Sequence, residues 1–218
     1  MDTPYPMGVL EGHTDAVLSL STHGTQSALA SASADRTVRL WDLETCKTVS
    51  TFTHHKEKVQ TVAWLPTEEN VMATGSFDHT ACVLDIRQPD AAAVTFKLQS
   101  DVESVVWYPR EEGQMPNLLV SSEDGMVYLY DVVAGKPLWQ LSAHTGPCSS
   151  MALQPQTGLL ATTSPKDKTA LKVWNIQNKP TKTAIRNEGY GPLFASAFSP
   201  EDPDMLAIGG INNPQPTI

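Results

Sequence analysis

The sequence predicts an all-β protein built from one four-stranded unit repeated along the chain, and three observations predict it. Aspartates recur at a nearly constant interval, an apolar and β-branched run follows each of them, and a histidine stands upstream of most of them. Four segments align: ASADRTVRLWDL (32–43), GSFDHTACVLDI (75–86), SSEDGMVYLYDV (121–132) and SPKDKTALKVWNI (164–176). Their shared aspartates, Asp35, Asp78, Asp124 and Asp167, lie 43, 46 and 43 residues apart. Few windows are rich in Glu and Lys at helical spacing, so a helical solenoid fails on period.

Each unit reads as four short strands in order. The first is an apolar alternation (AVLSLS, KVQTVAW, DVESVVWYP, CSSMALQP) that follows His13, the pair His54–His55, and His144 in units one, two and four. Proline or glycine then turns the chain into a second apolar run (ALASAS, VMATGS, LLVSS, LLATTS) that ends at the aspartate turn. The third strand is nearly continuous in apolar or β-branched residues, as Thr37, Val38, Leu40 and Trp41 illustrate, which suits a strand buried on both faces. It closes on Trp41–Asp42, Leu84–Asp85 and Tyr130–Asp131, and one residue late on Trp174–Asn175, through a small bulge or a longer turn. A fourth strand follows (TVSTF, AVTFKL, PLWQL, TKTAI). A repeat of roughly 40–45 residues carrying Gly-His and Trp-Asp is the pattern of a WD-repeat β-propeller.

The expected blades cover about 13–52, 55–98, 101–141 and 144–185, within a single domain spanning 1–218. A fifth, partial blade over 190–218 begins at GYGPLFASAF and stops without an aspartate turn. WD propellers typically close with seven blades, so the expectation is an incomplete propeller, a piece of a seven-bladed parent with open edges.

Composition narrows the function classes. The chain is 40% hydrophobic and 18% charged, which fits a packed globule. No apolar stretch is long enough to span a bilayer, and no membrane partner is expected. The opening MDTPYPMG has neither the basic nor the apolar region of a signal peptide. Cys46, Cys82 and Cys148 are odd in number and far apart, so they read as reduced thiols of an intracellular protein. The six histidines show no HxH or HExxH spacing, and neither a metal nor a cofactor is expected. Gly209–Gly210 is followed by no GK[ST], so it is no phosphate loop.

Net charge is −9, unevenly spread. Residues 1–165 carry −10, residues 187–218 carry −4, and residues 166–186 carry +5 from Lys166, Lys168, Lys172, Lys179, Lys182 and Arg186 against Asp167. The acidic body argues against nucleic acid binding over the whole surface, whereas the basic strip suits RNA or an acidic partner, or is plain solvated surface.

The markers carry a chemistry that is easily misread. In WD-repeat proteins the histidine, a strand-two Ser or Thr, the turn aspartate and the tryptophan form a hydrogen-bonded tetrad. The resemblance assigns His13, Ser31, Asp35 and Trp41 to blade one, and His144, Thr163, Asp167 and Trp174 to blade four. Blade two has Thr74 and Asp78 with Leu84 for tryptophan. Blade three has Asp124 and Tyr130 and no histidine, so both are expected to rely more on packing. A Ser–His–Asp set that recurs once per repeat is structural, because a catalytic triad converges once; no catalytic residue and no small-molecule substrate are expected. Trp64, Trp107 and Trp139 read as fillers between blades.

The segments LEGHTDAVLSLS, HKEKVQTVAWLP, GSFDHTACVLDIRQPD and EDGMVYLYDVVAGKPLWQLSAH resemble the periodic tryptophan protein 1 family over roughly residues 7–210. DIRQPD and AIGG fit that family better than generic WD repeats. The resemblance implies a nucleolar scaffold in large ribosomal subunit assembly and rRNA processing, with pre-ribosomal assembly factors and ribosomal RNA as partners and a chromatin association besides. No nuclear-targeting run is present, so the nuclear and nucleolar placement rests on the resemblance alone. Two other readings stand beside it. Leu84-Asp85-Ile86-Arg87 resembles the WDxR ending of cullin-RING ubiquitin ligase receptors, with Asp85 and Arg87 as adaptor contacts. The acidic body also suits basic histone tails.

Overall fold

The computed structural model describes residues 8–23, 27–89, 92–111, 113–177, 180–186 and 191–211. Among them every regular element is a β-strand. Blade one is β1 (Val17–Thr22), β2 (Ala28–Ser33), β3 (Val38–Asp42) and β4 (Lys47–Phe52). Blade two is β5 (Val59–Trp64), β6 (Val71–Ser76), β7 (Thr80–Asp85) and β8 (Ala92–Lys97). Blade three is β9 (Val102–Tyr108), β10 (Asn117–Ser122), β11 (Met126–Asp131) and β12 (Lys136–Ser142). Blade four is β13 (Ser150–Gln154), β14 (Leu159–Thr163), β15 (Leu171–Asn175) and β16 (Thr181–Arg186). A two-stranded sheet, β17 (Leu193–Phe198) with β18 (Leu206–Gly210), follows. Each full sheet is an antiparallel meander in chain order, and the whole is a partial β-propeller.

Burial follows strand position. β10 is buried at every residue and β7 at its four central ones, because blades cover both faces of the middle strands. The outermost strands β4, β8 and β12 alternate between exposed and covered side chains, the period-two pattern of a half-solvated sheet edge. The third and fourth strands slip register at one place in all four blades: Leu40/Trp41, Val83/Leu84, Leu129/Tyr130 and Val173/Trp174. This recurrent bulge adds twist to the outer strand where the tryptophan position lies.

The core is divided among blade interfaces. One cluster joins Ala30, Val38 and Phe52 of blade one to Val59 and Val62 of blade two. Another joins Phe96 of blade two to Val105 and Tyr130 of blade three, and a third joins Leu119 to Met151 and Trp174. A smaller one joins Ala161 to Leu193 of the last sheet. First strands run side by side, and their hydroxyls serve neighbouring amides. Val62 N and Trp64 N donate to Ser19 and Ser21 Oγ at 3.3 and 2.9 Å, and Ser196 N donates to Ser150 Oγ at 3.1 Å. Trp107 Nε1 donates to Ala63 O at 3.0 Å, so this tryptophan ties blade three to blade two.

β1 differs from its equivalents. Leu20, Val62 and Val105 hold the same register against the second strand, facing Ser31, Thr74 and Val120. Leu20 is 61% exposed, whereas Val62 and Val105 are each 4% exposed, because a preceding blade covers only the latter two.

Candidate functional site

In blades one, two and four the histidine ahead of the first strand meets the aspartate of the turn between the second and third strands. In blade one, Asp35 Oδ2 accepts His13 Nδ1–H at 2.8 Å and the Thr14 amide at 3.0 Å. Its Oδ1 accepts the Thr37 amide at 2.9 Å and the Thr37 hydroxyl at 2.6 Å. With Nδ1 donating to a carboxylate, a neutral ring has Nε2 as acceptor, so Ser31 Oγ–H donates to it at 2.6 Å. Trp41 Nε1–H, which can only donate, gives to the same Ser31 oxygen at 2.7 Å. Burial acts to raise the Asp35 pKa, but bonds from Thr37, His13 and Thr14 outweigh it and hold the carboxyl well below the usual range.

Blade four repeats this with one change. Asp167 Oδ2 accepts His144 Nδ1 at 3.1 Å and the Thr145 amide at 3.1 Å, while Oδ1 accepts the Thr169 amide at 3.0 Å. The hydroxyl shared by His144 Nε2 (2.9 Å) and Trp174 Nε1 (3.0 Å) belongs to Thr162, not to Thr163 as expected. The reason is turn length. Thr37 in blade one and Ala170 in blade four close equivalent turns on Ser33 and Ser164, so blade four carries two more residues there, one on each side of its aspartate. Counting back from Asp167 therefore stops one residue short. The late arrival of Trp174 comes from this longer turn, since the bulge beside it is common to all four blades.

Lys172 was expected among the partner-contacting cations, but it is an internal ligand of this network. Its ammonium donates to Asp167 Oδ2 at 2.9 Å and to Ala143 O at 2.7 Å. Burial acts to raise the Asp167 pKa, and the Thr169, Lys172 and Thr145 bonds override it. Burial first, and Lys172 second, push the His144 pKa down.

Blade two holds more of the network than expected. His55, previously only one of a marker pair, donates through Nδ1 to Asp78 Oδ2 at 3.0 Å and meets Thr74 Oγ1 through Nε2 at 2.8 Å. Leu84 brings no indole donor to Thr74. His54 approaches the same hydroxyl instead, with Nε2 at 3.5 Å. Burial, helped by His55, brings the His54 pKa down to about 4.

Among the described residues, blade three has no such network. Asp124, expected in a tetrad, accepts among the described residues from Ser122 Oγ at 2.6 Å and the Met126 amide at 3.2 Å, so it caps its turn locally. Val120 holds the register position of Ser31, and Tyr130 that of Trp41. Tyr130 stacks on Phe96 with centroids 4.3 Å apart and is buried.

The interaction residues are dispersed. Lys166 and Lys168 are exposed in the β14–β15 turn. Lys182 and Arg186 belong to the outer strand β16, and Lys179 lies outside the described residues. Asp85 and Arg87 sit at the opposite end of their blade from the aspartate turns, in a bidentate pair at 2.8 Å (Nε to Oδ1) and 2.6 Å (Nη2 to Oδ2), with Arg87 exposed.

A profile described as WD domain, G-beta repeat matches residues 4–42, 46–85 and 135–175, more than half the chain. The chain is 32% identical over 210 residues to a periodic tryptophan protein 1 homolog of Drosophila melanogaster, covering 95% of this chain and 46% of that protein. It is 36% identical over 193 residues to an uncharacterized WD repeat-containing protein of Schizosaccharomyces pombe, covering 87% and 36%. It is 27% identical over 216 residues to periodic tryptophan protein 1 of Saccharomyces cerevisiae, covering 92% and 37%. The chain thus spans between about a third and a half of the length of these relatives.

Proposed function

The chain belongs to the WD domain, G-beta repeat family, and on that premise we propose that it is a non-catalytic scaffold that docks proteins during assembly of the large ribosomal subunit, in the nucleolus. The observation that carries the assembly role is similarity to periodic tryptophan protein 1 along 95% of this chain, since the resemblance of its motifs to that family implies that role. The geometry supports the non-catalytic part. Both ring nitrogens of His13, His55 and His144 are engaged inside the protein, and the hydroxyls they meet, on Ser31, Thr74 and Thr162, are buried. A nucleophile and base locked in this way, three times over, serve packing.

Pre-ribosomal assembly factors are the proposed partners, with ribosomal RNA reaching the exposed Lys166 and Lys168 as a secondary contact. The test is sedimentation and purification of the tagged full-length protein from its own cells, with and without nuclease. Co-migration with large-subunit precursors, and recovery of their assembly factors, is the expected result. Recovery of a ligase adaptor or of histones, with no ribosomal material, would overturn the assembly role. RNA-borne association should weaken steeply with salt, whereas an apolar protein interface should not.

A further inference from the structure

Blade two brings together three donors that sequence spacing gave no reason to associate. His54 and His55 sit in the connection ahead of β5, and Cys82 lies on β7. Each offers one ligand atom, and these atoms lie within 4.8 Å of one another. His54 Nδ1 is buried and has no hydrogen-bond partner, which is costly for an imidazole nitrogen unless something else occupies it. The two rings are neighbours, with centroids 4.3 Å apart. Cys82 is a free, buried thiol in hydrogen-bond contact with the hydroxyls of Thr95 and Thr80, at 3.5 and 3.9 Å. Beside the cluster is a cleft of about 370 Å³, lined also by His79, Thr95 and Lys97.

We propose that His54, His55 and Cys82 form a binding site for a borderline-soft divalent metal ion, zinc being the ion that two imidazoles and a thiolate fit, with a fourth position open to the cleft. Zinc takes imidazole and thiolate donors at about 2.0 and 2.3 Å in a tetrahedron, so the donors must close in by about 1 Å. His54 is free to make that move, because its Nε2 contact with Thr74 is long and its Nδ1 holds nothing. His55 is already oriented as a ligand. Asp78 fixes the proton on Nδ1 and leaves Nε2 as the lone-pair nitrogen, an arrangement in which a carboxylate steadies a metal-binding imidazole. To bind, His55 Nε2 releases the Thr74 hydroxyl, which no indole holds in this blade. Cys82 gives up its thiol proton to solvent on binding.

Among the described residues, blades one and four lack this donor set, and their sequences say why. The register position of Cys82 carries Arg39 in blade one and Lys172 in blade four, both cations. The residue before the network histidine is Gly12 or Ala143 instead of His54. The tryptophan that closes those tetrads is Leu84 here. The metal would complete a network that lost its tryptophan, and would tie the blade-one-to-two connection to the third strand.

Cobalt(II) is the probe, added to the reduced, folded 218-residue chain, because a cobalt–thiolate bond absorbs in the near ultraviolet. The expected result is such absorption saturating at one equivalent, displaced by zinc, kept in Cys46→Ser and Cys148→Ser, and lost in Cys82→Ser. His54→Ala, which removes a partly covered side chain whose contact with Thr74 is long, should weaken binding by at least about 100-fold, the upper loss usual for a residue that only supports a ligand, while leaving the circular dichroism spectrum unchanged. No thiolate absorption in the folded wild-type chain, or absorption that persists in Cys82→Ser, overturns the site. So does a His54→Ala protein that binds cobalt as tightly as the wild type.

Discussion

Blades one and three share a strand plan and the bulge at the third-to-fourth strand junction, yet their middles are held by different forces. Blade one ties the segment ahead of β1 to β2, β3 and the turn between them through His13, Ser31, Asp35 and Trp41. Blade three has Val120 where blade one has Ser31, and Tyr130 stacked on Phe96 where blade one has an indole donor. Backbone register and apolar contact between blades therefore suffice to build the sheet, and the polar network is an added fastening. In the network blades that fastening makes the buried carboxylate indispensable, since removing it strands several donors at once.

The largest break in this comparison should come from the aspartates. Asp35→Ala leaves His13 Nδ1 and the Thr14 and Thr37 amides without their acceptor and should cost about 3 kcal/mol, whereas Asp124→Ala in blade three should cost about 1 kcal/mol. Urea unfolding of the two variants measures the gap, and equal losses would contradict the assigned roles. Next is Trp41→Leu, which gives blade one the residue of blade two. It removes the donor to Ser31 and leaves space behind, for a loss of about 2–3 kcal/mol. Gly125→Ala should lose about 2 kcal/mol for a backbone reason, read by the same unfolding curve. Its φ is +82°, and an added Cβ would overlap His144 O from the neighbouring blade. The smallest effect should be Lys166→Glu with Lys168→Glu. Both side chains are exposed, so stability should change by less than about 0.5 kcal/mol while any RNA association loses part of its salt dependence, measured by filter binding across salt.

The period, the strand order and the aspartate turns were legible because a repeat writes the same apolar pattern four times. What failed to show were places where one blade departs from the rest. Thr162 was displaced to Thr163 because the blade-four turn is longer, and turn length leaves no mark on an apolar alternation. Lys172 read as part of a charge run, although its place within LKVW, between apolar neighbours on a covered strand, was a signal that its charge is met internally. His55 could have been chosen over His54, since its 23-residue distance to Asp78 matches that of His144 to Asp167. The approach of Cys82 to the histidines could not have been read, because the strands between them bring it there.

The central claim is that the repeated networks act on stability, blade by blade. It is tested most directly by amide hydrogen exchange, corrected for intrinsic rates, in blades three and four as the pH falls. The His144 pKa is depressed by burial, so the unfolded chain takes that proton more readily, and the network loses stability as the pH falls below the ordinary histidine value of about 6.5. The Asp167 carboxyl is also held below its ordinary value, so its contribution is present above the usual carboxylate range and is lost as the pH falls below it. Blade three has no histidine in that place. The account predicts that protection across β14–β15 drops between pH 7.5 and 5 and drops again below about pH 4, while β10–β11 keeps more of its protection at each step. Equal loss in both blades, or earlier loss in blade three, would contradict it.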